Sequence, residues 1–409
     1  MKLLTTVVKL LLALLAVVGV AAPTAAADSW RPAHVVIVVL ENKSFSGIIG
    51  DPELPYLNTL ANQSALMTRA YFAQTPYGVV PAGYSARLPA RPSQPNYLYL
   101  FSGHHQGVVP SWFQDPRSPY VGTAINDPSG NRLPAPISNT ATGIGNNLIP
   151  ASMRPFTTPN LGSALIASGR SFASFSESLP YPRYDGAGDI SATADFYRRK
   201  HNPAINWTEL GSRPVPADQR KNVLPVESNL GFAQTTDPND GTRYRGFAVD
   251  AQGNRIGFEQ LPTVAIVVPN EQNDMHSAGK RVCDRWLETH IKPYADWARE
   301  HDGLLIVTVD EDGSTNGSHG DPYMTGVDPI ATFFYGPPGK VIPGKYDERI
   351  DHLNVLATLL DRYGLLEAFK RDFLQAHQGT EAENMAANLR PIRDVFGEGA
   401  PLAAISVSE

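Results

Sequence analysis

The chain has 409 residues, 42% of them hydrophobic, and carries 34 Lys+Arg against 40 Asp+Glu for a formal net charge of −6. That balance, with no basic stretch long enough to follow a phosphate backbone, excludes nucleic acid as the main partner. Cys283 is the single cysteine, so no internal disulfide braces the fold and a large apolar core has to carry its stability.

Lys2 and Lys9 precede an apolar run over 10–22, and small residues Ala25-Ala26-Ala27 follow. A positive start, a short apolar core and small residues before the cut predict a secretory signal peptide over 1–27. The run is short for a membrane span and no second one follows, so the expected product is exported, soluble and extracytoplasmic. Losing the two lysines takes the mature chain to −8. No repeat and no clear linker divides the remainder, which predicts one domain over 28–409.

The first element after the signal is the run Val35-Val36-Ile37-Val38-Val39-Leu40. Its β-branched content predicts a strand buried on both faces, as in a parallel sheet. It opens into Glu41-Asn42-Lys43-Ser44-Phe45, an acid and an amide delivered where open α/β sheets gather their ligands. The plainer reading is a strand end with Asn42 or Ser44 capping a helix.

From 75 to 263 the chain is rich in Pro, Gly, Asn and Ser, which predicts long ordered loops over the active face, with helical pieces at 96–102 and 193–199. Within it lies Arg91-Pro92-Ser93-Gln94-Pro95-Asn96-Tyr97. Pro95 suits the first turn of a helix, which puts Ser93 just before it, at the positive end of the helix dipole. Ser93 is then either a nucleophile beside a bound phosphate or simply the helix cap. His201 stands in a basic cluster with Arg198, Arg199 and Lys200.

A second apolar strand, Val264–Val268, opens into a polar loop carrying Asp274 and His276, the latter suited to binding phosphate or protonating a leaving oxygen. Helical spacing follows over 281–300. A third strand over 304–309 ends in Asp310-Glu311-Asp312-Gly313. Adjacent acids at the end of a buried strand repel one another and are tolerated when a cation lies between them, with oxygen ligands favouring Mg²⁺, Ca²⁺ or Mn²⁺; the plainer reading is a solvated acidic turn before Gly313. His319 follows, then a fourth strand over 330–335, then His352 at the start of a helical pattern over 353–369. The tail over 372–409 is mixed. Strands alternating with helices predict an α/β domain with a mainly parallel sheet.

Eight segments in this order resemble the phosphoesterase family of bacterial acid phosphatases and phospholipases C, within the alkaline phosphatase superfamily. They are Glu41-Asn42-Lys43-Ser44-Phe45, Pro92-Ser93-Gln94-Pro95-Asn96-Tyr97, Glu177-Ser178-Leu179-Pro180, Lys200-His201-Asn202-Pro203, Pro269-Asn270 with Asp274-Met275-His276, Asp284-Arg285-Trp286-Leu287, Asp310-Glu311 and Asp351-His352. The resemblance implies a three-layer α/β/α fold. It implies one divalent metal ion, Mg, Ca, Mn or Zn, held by Glu41, Asn42, Asp310 and Glu311 with the Ser93 hydroxyl as ligand and nucleophile. His201, Asn96, Asp274, His319 and His352 would line the phosphate, and His276 would protonate the departing alcohol. The family often has His where this chain has Arg91, whose guanidinium suits a phosphate oxygen. The expected substrate is a small-molecule or lipid phosphate ester, most simply a monoester as in an acid phosphatase. A phospholipase C or other diesterase is the alternative on the same fold, and a cation-stabilised extracellular binding protein without catalysis is the second.

Overall fold

The computed structural model describes residues 30–72, 74–75, 88–89, 93–106, 108, 149, 154–181, 184–186, 196–209, 214–232, 246–247, 252, 254–255, 257–313 and 328–397. The segment 1–27, Arg91 and His319 lie outside these residues. Contacts gather Arg31–Gly397 into one compact unit; the other, Met1–Trp30 with Glu398–Glu409, falls almost wholly outside the described residues.

In chain order the described elements are β1 (His34–Leu40), α1 (Pro55–Asn62), β2 (Ala65–Ala70), a small ribbon of β3 (Gln74–Thr75) and β4 (Leu88–Pro89), α2 (Gln94–Ser102), α3 (Leu161–Ala167), β5 (Phe172–Ser176), β6 (Asn229–Gly231), β7 (Val264–Val268), α4 (Lys280–Trp286), α5 (Lys292–Glu300), β8 (Gly303–Val309), β9 (Ile330–Tyr335), β10 (Gly344–Ile350), α6 (His352–Arg362), α7 (Leu366–Ala376) and α8 (Thr380–Asn388). Eight strands form one sheet in the order β10-β2-β9-β8-β1-β7-β5-β6. Only β9 runs against its neighbours, β8 and β2; every other pair is parallel. The four apolar runs in the sequence are β1, β7, β8 and β9, and all but the first residue of β1 are buried. Burial of successive residues, whose side chains point to opposite faces, requires helices on both sides of the sheet, the three-layer α/β/α arrangement.

Two helical patterns are interrupted. The 281–300 pattern becomes α4 and α5 joined by a wide turn over Leu287–Ile291, because Pro293 has no N–H to donate to the turn before it. The 353–369 pattern breaks at Gly364, whose φ of 71° ends α6 and lets α7 start at a new angle. Of the 193–199 piece, the described end is a 3₁₀ turn over Arg199–His201. The chain after Arg371 continues α7 and then α8, and Phe373, Met385, Leu389, Ile392, Val395 and Phe396 are buried. Among the described residues no helix is long and apolar enough to cross a membrane.

Four consecutive strands of the sheet, β8, β1, β7 and β5, run parallel side by side. Their carboxyl ends therefore share one edge, and the loops that begin at Asp310, Glu41, Pro269 and Glu177 leave from it together.

Candidate active site

Unusual backbone marks this edge. Asn42 (φ 53°), Met275 (φ 79°) and Ser178 (φ 58°) are non-glycine residues in left-handed conformation, one on the loop after each of β1, β7 and β5. Such conformations cost about 1–3 kcal/mol each and persist where neighbouring contacts fix the chain. Here the contacts run between loops. The Glu41 N–H donates to Asp274 O at 2.8 Å, and the Lys43 N–H to Glu311 O at 3.1 Å. Lys43 Nζ donates to both Asn42 O and Met275 O at 3.0 Å, tying the β1 loop to the β7 loop.

Four acids converge inside. Glu41, Asp274, Asp310 and Glu311 are all buried, and the neighbouring Asp312 is buried too, accepting from the Asp328 N–H at 2.9 Å. Asp310 Oδ1 accepts from the Asn42 N–H at 2.8 Å and from the Glu311 N–H at 2.7 Å. Its Oδ2 is buried without a hydrogen-bond donor, as is Asp274 Oδ2. Burial, then the charges of Asp310 and Asp274, push the Glu41 carboxyl well above its ordinary value. Burial likewise raises Asp274 and Asp310, the latter against backbone donors that lower it. Uncompensated like charges in a low dielectric are unfavourable, so the arrangement is unstable unless protons or a cation enter it.

Ser93 sits at the positive end of α2, but the capping reading fails: its side chain makes no cap hydrogen bond. Instead Ser93 Oγ donates to Glu41 Oε2 at 3.1 Å, and the Ser93 N–H donates to Glu311 Oε2 at 3.1 Å. The serine is buried. One turn further along α2, Tyr97 OH donates to Glu41 Oε1 at 2.5 Å and its ring stacks on His201, centroids 5.2 Å apart at 12°. His201 Nε2 lies 3.3 Å from Glu41 Oε1, and Nδ1 lies 4.0 Å from Asp274 Oδ2. The buried Nε2 has no hydrogen-bond partner, so its contact with Oε1 lacks hydrogen-bond geometry. Burial, then the charge of Lys200, pulls the imidazole well below its usual range, so it is neutral and able to ligate.

One ligating atom each from Glu41, His201 and Asp274 lies within 4.8 Å of the others. With two carboxylate oxygens and a ring nitrogen lacking hydrogen partners, and Asn42, Ser93, Asp310 and Glu311 adjoining, the donor set fits a divalent cation. It suits Mg²⁺, Ca²⁺ or Mn²⁺ by its oxygens, and its imidazole also admits Zn²⁺.

The expected ligands Glu41, Asn42, Ser93, Asp310 and Glu311 are thus brought together. Asp274 and His201, expected at the phosphate, stand among the ligand candidates instead. Asn96 is buried in the first turn of α2, three residues from Ser93. His276 is exposed at the rim, its N–H donating to Asp274 Oδ1 at 2.7 Å and its ring 6.4 Å from that of His201. His352, expected at the phosphate, is buried at the start of α6 with Nε2 2.9 Å from the carbonyl oxygen of Val309, the residue before Asp310.

Two matched segments hold the frame. Glu177 accepts from Asn270 N–H, Asn273 Nδ2 and Trp286 Nε1, and Asp284 accepts from the Tyr56 and Leu57 N–H groups at the start of α1. Sequence reasoning assigned no role to Tyr97, Lys43 or Gly313. Tyr97 was findable from its spacing of four from Ser93, which puts both on one helix face.

The sequence profile of the Phosphoesterase family matches residues 55–366. A phosphatidylinositol-3-phosphatase of Mycobacterium tuberculosis is 31% identical over 366 residues, covering 90% of this chain and 83% of that protein. A phosphate-repressible acid phosphatase of Penicillium chrysogenum is 23% identical over 48% of this chain and 40% of its own length. A solved structure of a protein in the alkaline phosphatase superfamily, from Vibrio parahaemolyticus, covers 83% of this chain and 68% of its own at 13% identity, with a TM-score of 0.42. A profile spanning most of the chain and a relative alike along nearly all of it agree with what a buried serine among acids can do: the chain is a hydrolase of phosphoric esters and belongs to the Phosphoesterase family.

Proposed function

We propose that the chain is an exported, divalent-cation-dependent phosphatase that cleaves phosphate monoesters through a phosphorylated Ser93. One observation carries the reading: the Ser93 hydroxyl leaves its helix uncapped and turns 3.1 Å from Glu41 Oε2, among buried acids. Glu41, Asp274, His201, Asp310 and Glu311 would hold the cation, with Asn42 and the Ser93 hydroxyl joining them. When bound it neutralises phosphate charge and favours the serine alkoxide.

Glu41 Oε2 is placed to take the Ser93 proton. Ser93 Oγ attacks phosphorus; the Oγ–P bond forms as the bond from phosphorus to the alcohol oxygen breaks. His276, exposed at the rim, supplies that oxygen's proton from its protonated form, the form its partly buried ring disfavours. Water then attacks the phosphoserine and gives a proton to His276, and Ser93 Oγ leaves and regains its own. The positive end of α2 faces the charge that develops on the phosphoryl oxygens.

Both phosphatase relatives favour a monoester over a diester, and the mycobacterial one extends the class to a phosphorylated inositol lipid. The charged start, apolar core and alanines of 1–27 support export. Ser93→Ala lowers turnover of an aryl phosphate by about 10³-fold or more, while the fold persists. Acid quenching of the wild type with ³²P-labelled monoester leaves label on the Ser93 peptide. Retained turnover in Ser93→Ala, or label elsewhere, removes the serine from this role.

A further inference from the structure

We infer that Tyr97 is a positioning residue that makes Glu41 a one-oxygen ligand and sets the plane of His201, so that the cation and the Ser93 hydroxyl meet on the same carboxylate oxygen. The inference rests on the cation reading above.

Three elements meet at this phenol. Tyr97 comes from α2, Glu41 from the end of β1 and His201 from the 3₁₀ turn Arg199–His201. Ser93 and Tyr97 are four apart, one helical turn, so the hydroxyl that reacts and the hydroxyl that positions project from the same face. Tyr97 is 1% exposed. Its 2.5 Å bond to Glu41 Oε1 is at the short end of the range for an O–H donating to oxygen.

The two oxygens of Glu41 are divided by this bond. Oε1 is committed to protein, with Tyr97 OH donating and His201 Nε2 beside it at 3.3 Å. Oε2 faces the chemistry, receiving Ser93 Oγ at 3.1 Å and Asn42 Nδ2 at 3.0 Å. A cation held beside Ser93 would meet Oε2 first, whereas Oε1 already accepts the short phenol bond and could join only by sharing that oxygen with Tyr97. In this bond the phenol O–H is the donor and Oε1 the acceptor. The same ring, stacked 5.2 Å from His201 at 12°, blocks rotation of the imidazole out of the plane that aims Nε2 at Glu41. Groups that orient ligands in this way are worth about 10- to 100-fold in metal affinity.

Core filling alone would place an aromatic here without needing its oxygen, and that difference is measurable. Tyr97→Phe keeps the ring and the stack and removes only the hydroxyl. Wild type and variant, stripped of metal and checked by elemental analysis, are titrated with Mn²⁺ by calorimetry. The expected result is a dissociation constant about 10- to 100-fold weaker in Tyr97→Phe. The visible spectrum of the Co²⁺-loaded variant also changes, because Glu41 is free to offer both oxygens. Tyr97→Leu, which loses the stack as well, binds more weakly still. An Mn²⁺ affinity and a Co²⁺ spectrum equal to wild type in Tyr97→Phe overturn the inference and leave the cation reading standing. A wild type that binds neither ion overturns both.

Discussion

A Cβ built on Gly313 would lie 1.9 Å from the carbonyl oxygen of Asn42, and the residue's φ is +68°. Two demands therefore coincide on one residue: a left-handed backbone and close approach of the β8 loop to the β1 loop. Asn42 is itself left-handed at φ 53°, and its N–H holds Asp310 Oδ1 at 2.8 Å, so displacing its carbonyl displaces two candidate ligands. Gly313→Ala costs at least about 1–2 kcal/mol from φ alone, and the clash adds to it. The expected outcome is a lower melting temperature together with a fall in kcat for an aryl phosphate; a variant with wild-type values of both shows that the two loops do not position each other. Residues differ in how much of this could be read from their order. Glu41 and Asp310 were legible because an acid after a run of β-branched residues has few other reasons to be there. Gly313 was legible only as a turn, since the atom it has to avoid belongs to a residue 271 positions earlier.

Strands set the site and helices finish it, and the two classes of element were not equally legible. The runs that become β1, β7, β8 and β9 are apolar throughout because both faces are covered, and that pattern survives in one dimension. The breaks at Pro293 and Gly364 were hidden under apolar spacing that continues through them, since a helix and its successor can bury the same stripe. Contact between α2 and the turn at His201 was not legible at all: stacking of Tyr97 on His201 joins segments 104 residues apart across the long loops. What the strand ends create is repulsion. Asp310 Oδ2 has no donor, and burial raises the Glu41, Asp274 and Asp310 carboxyls. In the cation-free protein Asp310→Asn removes one of these charges and keeps an oxygen for the Asn42 and Glu311 N–H groups. It should stabilise that protein by roughly 1–2 kcal/mol, as charge optimisation commonly does, while cutting turnover by orders of magnitude. Denaturant unfolding in chelator checks the sign. A less stable variant under those conditions would show that the buried acids are not in conflict.

At the scale of the whole molecule the end of α2 opposite Ser93 carries a second kind of electrostatic load. His104 stacks on His377 with centroids 4.0 Å apart at 12°, and on His105 at 4.4 Å and 29°, so three imidazoles pile up where α2 and α7 end. Phe373 from α7 packs on His104 and His377, and Tyr99 lies edge-on to His105. The Gln106 N–H donates to His104 Nδ1 at 2.9 Å, which fixes that nitrogen as an acceptor and the ring as neutral. Burial, then proximity to His105, pulls His377 down to about 3, and burial, then His377 and His105, pulls His104 well below its usual range. In the unfolded chain the same rings titrate near about 6.5. Between those values the unfolded state binds more protons than the native one, so stability falls as pH drops from about 6.5 towards the folded values. The buried carboxyls act in the opposite direction when no cation is bound, because their raised values favour the native state on acidification. The experiment therefore belongs in excess divalent cation, where charge on the proposed ion would replace those protons. Unfolding free energy should drop between about pH 7 and pH 4.5, by on the order of 2–3 kcal/mol for each such histidine, with proton uptake on unfolding. His377→Phe keeps an aromatic plane against His104 and Phe373 and removes one titrating group, so its loss over the same range should be smaller by about that amount. A variant whose stability falls as steeply as wild type would place the acid sensitivity elsewhere, and the pile of imidazoles would then be ordinary packing between two helix ends.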